Sequence, residues 1–145
     1  TSEDLTVYNK STIGATKNII NWYKNSNSLT SLNMPFEGGS NSTWTKDYSS
    51  YGKNGKAINA VWNSTAGHDS FGVYIFDGSG DRIEIPVSIT SGTKAITYSV
   101  WAKFGLNPSD GGVTTRILLK PAGGTTHGIS FNEVTNKVVC GIYNT

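Results

Sequence analysis

The chain holds a single cysteine, Cys140, so no disulfide can close within it. Cys140 stands in the apolar run Val138-Val139-Cys140-Gly141-Ile142, where a thiol acts as a small buried hydrophobe. A nucleophilic role would need a neighbouring base that the sequence does not place; a disulfide to a second chain is the remaining use. Charge is also scarce. Charged residues make up 15% of the chain, against about 25% in an average globular domain. The 12 Lys and Arg nearly balance the 10 Asp and Glu, for a formal net charge of +2. The basic residues are scattered along the chain, so the footprint of a nucleic-acid binder is missing. No apolar stretch approaches the ~20 residues of a membrane-spanning helix, and no signal peptide is evident. The chain starts at Thr1 and not at Met, which fits a removed leader or an excerpt. Its two histidines, His68 and His127, are far apart in sequence and indicate no zinc site. Serines are so common that a Ser–His–Asp triad could be drawn many ways, and none is indicated.

Sustained helical periodicity is missing too, whereas two-residue alternation recurs. The alternation predicts strands at Leu5–Tyr8, Asn18–Lys24, Leu29–Phe36, Ala57–Trp62, Gly72–Phe76, Arg82–Pro86, Ala95–Phe104, Thr115–Lys120, Gly128–Asn132 and Lys137–Tyr143. Gly38-Gly39-Ser40, the run from Ser49 to Gly55, Gly111-Gly112 and Gly123-Gly124 separate them with turn chemistry. Short strands at such intervals describe an all-β sandwich or barrel. The most specific stretch is Phe71–Phe104. There Gly72–Phe76 and Arg82–Pro86 read as a hairpin around the acidic, glycine-rich turn Asp77-Gly78-Ser79-Gly80-Asp81.

Two resemblances organise the chain. Residues 1–32, with Asp4-Leu5-Thr6-Val7-Tyr8 and Ile20-Asn21-Trp22-Tyr23-Lys24-Asn25, resemble half of an immunoglobulin-like repeat of prokaryotic surface proteins. Half a repeat cannot bury a core alone, so these strands either pack on the main sandwich or remain from a preceding domain. Residues 33–145 resemble a laminin-G-like, concanavalin A-like jelly roll. The blocks are Pro35-Phe36-Glu37-Gly38, then Asp47-Tyr48-Ser49-Ser50-Tyr51-Gly52-Lys53-Asn54-Gly55, then Ala60-Val61-Trp62, then Gly72 through Ile85. The resemblance implies an antiparallel β-sandwich, and the strands that close both sheets in that family do not appear before Thr145. The expectation is a jelly roll lacking its last strands, with open edges able to accept a neighbouring chain.

The same resemblance implies a calcium site near the Asp47 loop. Hard cations take roughly six to eight oxygen ligands, and Asp47, Asn54 and, from the preceding strand end, Glu37 are the candidates. The competing role for Asp47 and Asn54 is to satisfy turn backbone groups. Asp77 and Asp81 read as local acceptors within their turn, with Arg82 and Glu84 paired across strands. A glycosidase would need two acids facing one cleft about 5–10 Å apart, which a five-residue turn does not provide. Trp44, Tyr48 and Tyr51 lie in loop-like segments and are candidate sugar platforms; Trp22, Trp62 and Trp101 read as core. Sequons at Asn9, Asn41 and Asn63 favour export and glycosylation. The expected function is a non-catalytic extracellular or cell-surface module, binding a glycan or a surface protein and needing no cofactor beyond structural calcium. The alternative is a structural subunit of a filament completed by strand exchange.

Overall fold

The computed structural model describes residue 14 and residues 17–86, 97–103, 114–119, 125–132 and 137–144. Among these residues every regular element is a β-strand, every ladder is antiparallel and there is no helix. The all-β expectation holds in that form. The chain divides into two compact units, Thr1–Val87 and Ser88–Thr145. The strand predicted at Leu5–Tyr8 lies outside the described residues.

The first unit opens with a hairpin of β1 (Tyr23–Lys24) and β2 (Asn27–Ser28). Its two-residue loop, Asn25-Ser26, has φ angles of 50° and 65°, the mirror-image turn that matches the twist of paired strands. Next come β3 (Trp44–Thr45), β4 (Gly55–Ile58), β5 (Val61–Asn63), β6 (Val73–Ile75) and β7 (Arg82–Glu84). They form a sheet ordered β3-β4-β7 and a separate ribbon of β5 with β6. The second unit carries the meander β8 (Thr114–Leu119), β9 (Thr125–Asn132) and β10 (Lys137–Asn144), with a register shift between Arg116 and Leu118. β8 and β10 match the predicted strands to within a residue at each end, β9 starts three residues earlier than predicted, and Cys140 lies in β10 opposite Ile129.

Register decides which side chains share a face, because successive residues of a strand point to opposite sides. In the three-stranded sheet, Thr45 pairs Gly55 and Ala57 pairs Ile83 on the inner face. Trp44, Lys56 and Glu84 form a row on the outer face. In the ribbon, Trp62 and Tyr74 are partners on the inner face, while Val61 and Ile75 face outward, 58% and 48% exposed. Sheet and ribbon thus meet in one core of Ala57, Ala60 and Tyr74, flanked by Phe36, Trp62 and Ile83. Phe36 meets the Tyr74 ring edge-on, 5.2 Å between centroids at 88°, the geometry that ring quadrupoles favour.

Two predicted elements are corrected here. Ala57–Trp62 is not one strand: Asn59 turns to a φ of 58°, Ala60 N–H donates to Ile58 O at 2.7 Å, and the chain leaves the sheet for the ribbon. Asparagine tolerates that left-handed conformation better than most residues. Nor do the strands either side of Asp77–Asp81 form a hairpin. β6 pairs with β5 and β7 with β4, so the turn carries the chain from ribbon to sheet. Leu29–Phe36 forms no ladder, and the described part of Ala95–Phe104, residues 97–103, is irregular. Trp62 packs at the core as expected, but Trp22 and Trp101 are 40% and 79% exposed. Trp22 precedes a two-residue strand of a hairpin that is too short to cover it.

Phe36 has a φ of 63°, unusual for a bulky side chain. Its carbonyl accepts a hydrogen bond from Trp62 Nε1 at 2.9 Å, and the backbone of Gly72 passes so close that a Cβ there would overlap the Phe36 oxygen. By contrast, a Cβ at Gly78 would meet nothing, although its φ is 85°. Gly72→Ala should therefore cost about 3 kcal/mol or more by displacing the Phe36 backbone, and Gly78→Ala only about 1–2 kcal/mol, from its positive φ. Urea denaturation of the two variants checks the order.

Candidate functional site

The segment after β3 keeps strand-like alternation without a ladder. Thr45, Asp47 and Ser49 are buried, whereas Trp44, Lys46 and Ser50 are exposed and Tyr48 is half-buried. What holds this segment is Asp47. Its Oδ1 accepts from the N–H of Asn33 at 2.9 Å and of Ser49 at 2.8 Å. Its Oδ2 accepts from Ser49 Oγ at 2.6 Å and from Lys53 N–H at 2.8 Å. Asn54 Oδ1 in turn accepts from the Asp47 N–H at 2.9 Å. The first hairpin is tied to the same loop: Asn21 Nδ2 donates to Tyr48 O at 3.0 Å and Ser28 N–H to Ser50 Oγ at 3.0 Å. Burial works to raise the Asp47 carboxyl, but the hydrogen bonds from Ser49, Asn33 and Lys53 outweigh it and hold the group below the usual carboxylate range.

Asp47 and Asn54 are brought together, and the competing role read from the sequence, satisfying turn backbone groups, is the one their oxygens perform. Four donors fill the lone pairs of the carboxylate, so this donor set does not fit a cation in its present arrangement. Glu37 is engaged with a different partner. Its carboxylate and that of Asp69 both pair with Lys17, whose ammonium also lies 4.5 Å from the centre of the Phe71 ring. Partial burial works to lower the Lys17 ammonium, but the bonds with Asp69 and Glu37 raise it above its ordinary value, and Lys17 holds Asp69 below its own. Among the described residues no three His, Cys, Asp or Glu side chains group as metal ligands.

The three aromatic candidates differ in what they present. Trp44 is 37% exposed on the outer sheet face. Tyr48 donates its hydroxyl to Gly38 O and carries the Lys46 ammonium 4.6 Å above its ring. Tyr51 is exposed, with the Lys53 ammonium 5.1 Å from its ring centre. The turn that delivers Trp44 is tightly specified. Asn41 N–H donates to Trp44 O at 2.9 Å, and Asn41 Oδ1 accepts from Thr43 N–H, Thr43 Oγ1 and Trp44 N–H at 2.8, 2.7 and 3.2 Å. Tyr74 reaches this turn from the ribbon, its hydroxyl oxygen 2.6 Å from Asn41 O and 2.8 Å from Trp44 O. Buried Ser40 and Thr45 add a hydroxyl pair at 2.8 Å beside it. Burial raises the Tyr74 hydroxyl against the lowering effect of its bonds with Thr45, Asn41 and Ser40.

The sequons Asn41 and Asn63 share a hydrogen-bond pattern: Asn63 Oδ1 accepts from Thr65 N–H and Oγ1 at 2.9 and 3.2 Å. Asn9 lies outside the described residues. Asp77 and Asp81 act locally as expected, accepting from Ser79 N–H and Asp77 N–H at 2.7 Å each. Arg82 and Glu84 do pair, at 2.8 Å, but along one strand and not across two. Sequence reading missed Lys46, Lys53, Lys56 and the reach of Tyr74. Alternation through 44–50 could have placed Lys46 beside Trp44, whereas Lys56 needed the β3–β4 register. No helix among the described residues is long and apolar enough to cross a membrane. No family model, no curated protein and no solved structure matches the chain.

Because the Asp47 carboxyl is depressed in the fold, its stabilisation is complete above the unfolded value of about 3.9 and is lost as pH falls through the lower folded value. Denaturation of the first unit, followed by tryptophan fluorescence, should show stability falling below about pH 4. Asp47→Ala should remove much of that fall and cost about 2–4 kcal/mol at neutral pH, since buried N–H groups lose their acceptor.

Proposed function

We propose that the chain is a non-catalytic binding or adhesion module of the cell surface or extracellular space, built on the laminin-G-like, concanavalin A-like jelly-roll plan that its motifs resemble, with a glycan as ligand. The observation that carries this reading is Trp44, exposed on the outer sheet face in a row with Lys56 and Glu84. An indole face stacks on the apolar side of a pyranose while charged neighbours take its hydroxyls. The turn that presents it is fixed by Asn41 and Tyr74, so little ordering entropy opposes binding. Asp77, Asp81 and Glu84 are engaged with their own strand and turn, which favours binding over hydrolysis. Asn41, in the turn before β3, and Asn63, at the end of β5, are partly exposed and support the extracellular setting. On a glycan array the chain should bind a discrete set of sugars, and Trp44→Ala should weaken that binding roughly tenfold or more, about 1.4 kcal/mol. Binding to no glycan would overturn the reading.

The outward apolar pair Val61 and Ile75, with Phe76 beside them 48% exposed, favours a second reading. The chain is then a structural subunit that packs or exchanges strands with its neighbours. Light scattering at about 10 µM decides it, because an interface of that kind holds oligomers together at micromolar concentration; a stable monomer would sink it.

A further inference from the structure

The outer face around Trp44 is more positive than the net charge of the chain conveys. Trp44 and Lys56 are direct ladder partners on that face, and alternation through exposed Lys46 and half-buried Tyr48 continues it beyond the strand. The ammonium groups of Lys46 and Lys53 lie over tyrosine rings at 4.6 and 5.1 Å. A ring face orients an ammonium group without neutralising it. The acids nearby already have partners, although Glu84 stands on this same face, opposite Lys56 in the ladder. Asp47 is buried and turned inward with four donors, Glu37 and Asp69 share Lys17, and Glu84 pairs with Arg82. Among the described residues no carboxylate pairs with Lys46, Lys53 or Lys56.

We propose that this face takes an acidic polysaccharide, a polymer of uronic acids. Trp44 stacks on one sugar ring, and Lys56 and Lys46 meet the carboxylates of that ring and its neighbour. The inference rests on the glycan-binding reading above and names the ligand class of the same site. Lysine suits the role because a carboxylate on a flexible chain is met as a point charge by an ammonium group with rotatable donors, and complementary charge selects acidic over neutral polymers.

Titration calorimetry of the full chain against polygalacturonate and alginate, with laminarin and mannan as neutral probes and duplex DNA as a third polyanion, tests the proposal. Binding to one of the two polyuronates is expected. It should weaken roughly tenfold in Trp44→Ala and in the double variant Lys46→Gln, Lys56→Gln, and severalfold between about 0.05 and 0.3 M salt. All three substitutions are at exposed positions, and an unchanged circular dichroism spectrum confirms that the variants fold. Preferred binding of a neutral polymer, unaffected by the lysine changes, would overturn the acidic ligand and leave the glycan reading standing. Equal binding of DNA and polyuronate, insensitive to Trp44→Ala, would show unspecific attraction and also overturn the proposal. Binding to no polysaccharide would overturn both readings together.

Discussion

The buried carboxylate of Asp47 is the constraint on which the described site depends. A carboxylate taken out of water is costly unless its charge is met by donors. Here three backbone N–H groups and one hydroxyl meet it, from residues as far apart in sequence as Asn33 and Lys53. Those bonds give a segment with no ladder partners the order of a strand. They set its inward and outward faces from Lys46 to Ser50. They also close the loop that leads into β4, and thereby the pairing of β4 with β3 that puts Lys56 opposite Trp44. Charge in this protein is few in number but placed where it organises backbone.

Tyr74 is the complementary constraint. The ring belongs to the core shared by sheet and ribbon, and the hydroxyl holds the turn before β3 from inside. One side chain thus transmits the position of the ribbon to the backbone of Trp44. Phe36 works from the other side. It accepts a left-handed backbone in order to place its ring on Tyr74 and its carbonyl against Trp62. Strain of that kind, of order 1–3 kcal/mol, persists only when surrounding contacts over-determine it, and Gly72 leaves the space that allows it.

Much of this was legible in the sequence, and what was missed has a physical pattern. Period-two alternation placed β8 and β10 to within a residue at each end and caught the last five residues of β9. The block from Asp47 to Gly55 was recognisable as a turn, and each part now has a use: Asp47 accepts, Ser49 and Lys53 donate, and Asn54 holds the Asp47 N–H. Alternation could not show partners. Two strands joined by a short glycine-rich turn usually pair with each other, yet β6 and β7 belong to different sheets. An apolar run usually stays in one sheet, yet Asn59 breaks Ala57–Trp62 between two. Both misses concern where the chain crosses from ribbon to sheet, a matter of long-range pairing that local propensity does not encode. Lys56 was missed for the same reason, since its place beside Trp44 exists only through the ladder.

Charge counting failed in an instructive way. A net charge of +2 with scattered basic residues reads as electrostatically featureless, because a sum over the chain takes no account of direction. Folding separates the signs. Among the described residues Asp47 turns inward to backbone donors, Glu37, Asp69 and Glu84 close on a cation, and Asp77 and Asp81 accept only within their own turn. The lysines at 46, 53 and 56 keep their ammonium groups over rings or on the open sheet face. The same buried carboxylate that orders the segment removes a negative charge from the surface it orders. Local order and surface charge are therefore linked at Asp47: burying this one acid orders the segment and leaves Trp44 beside the positive charge of Lys46 and Lys56.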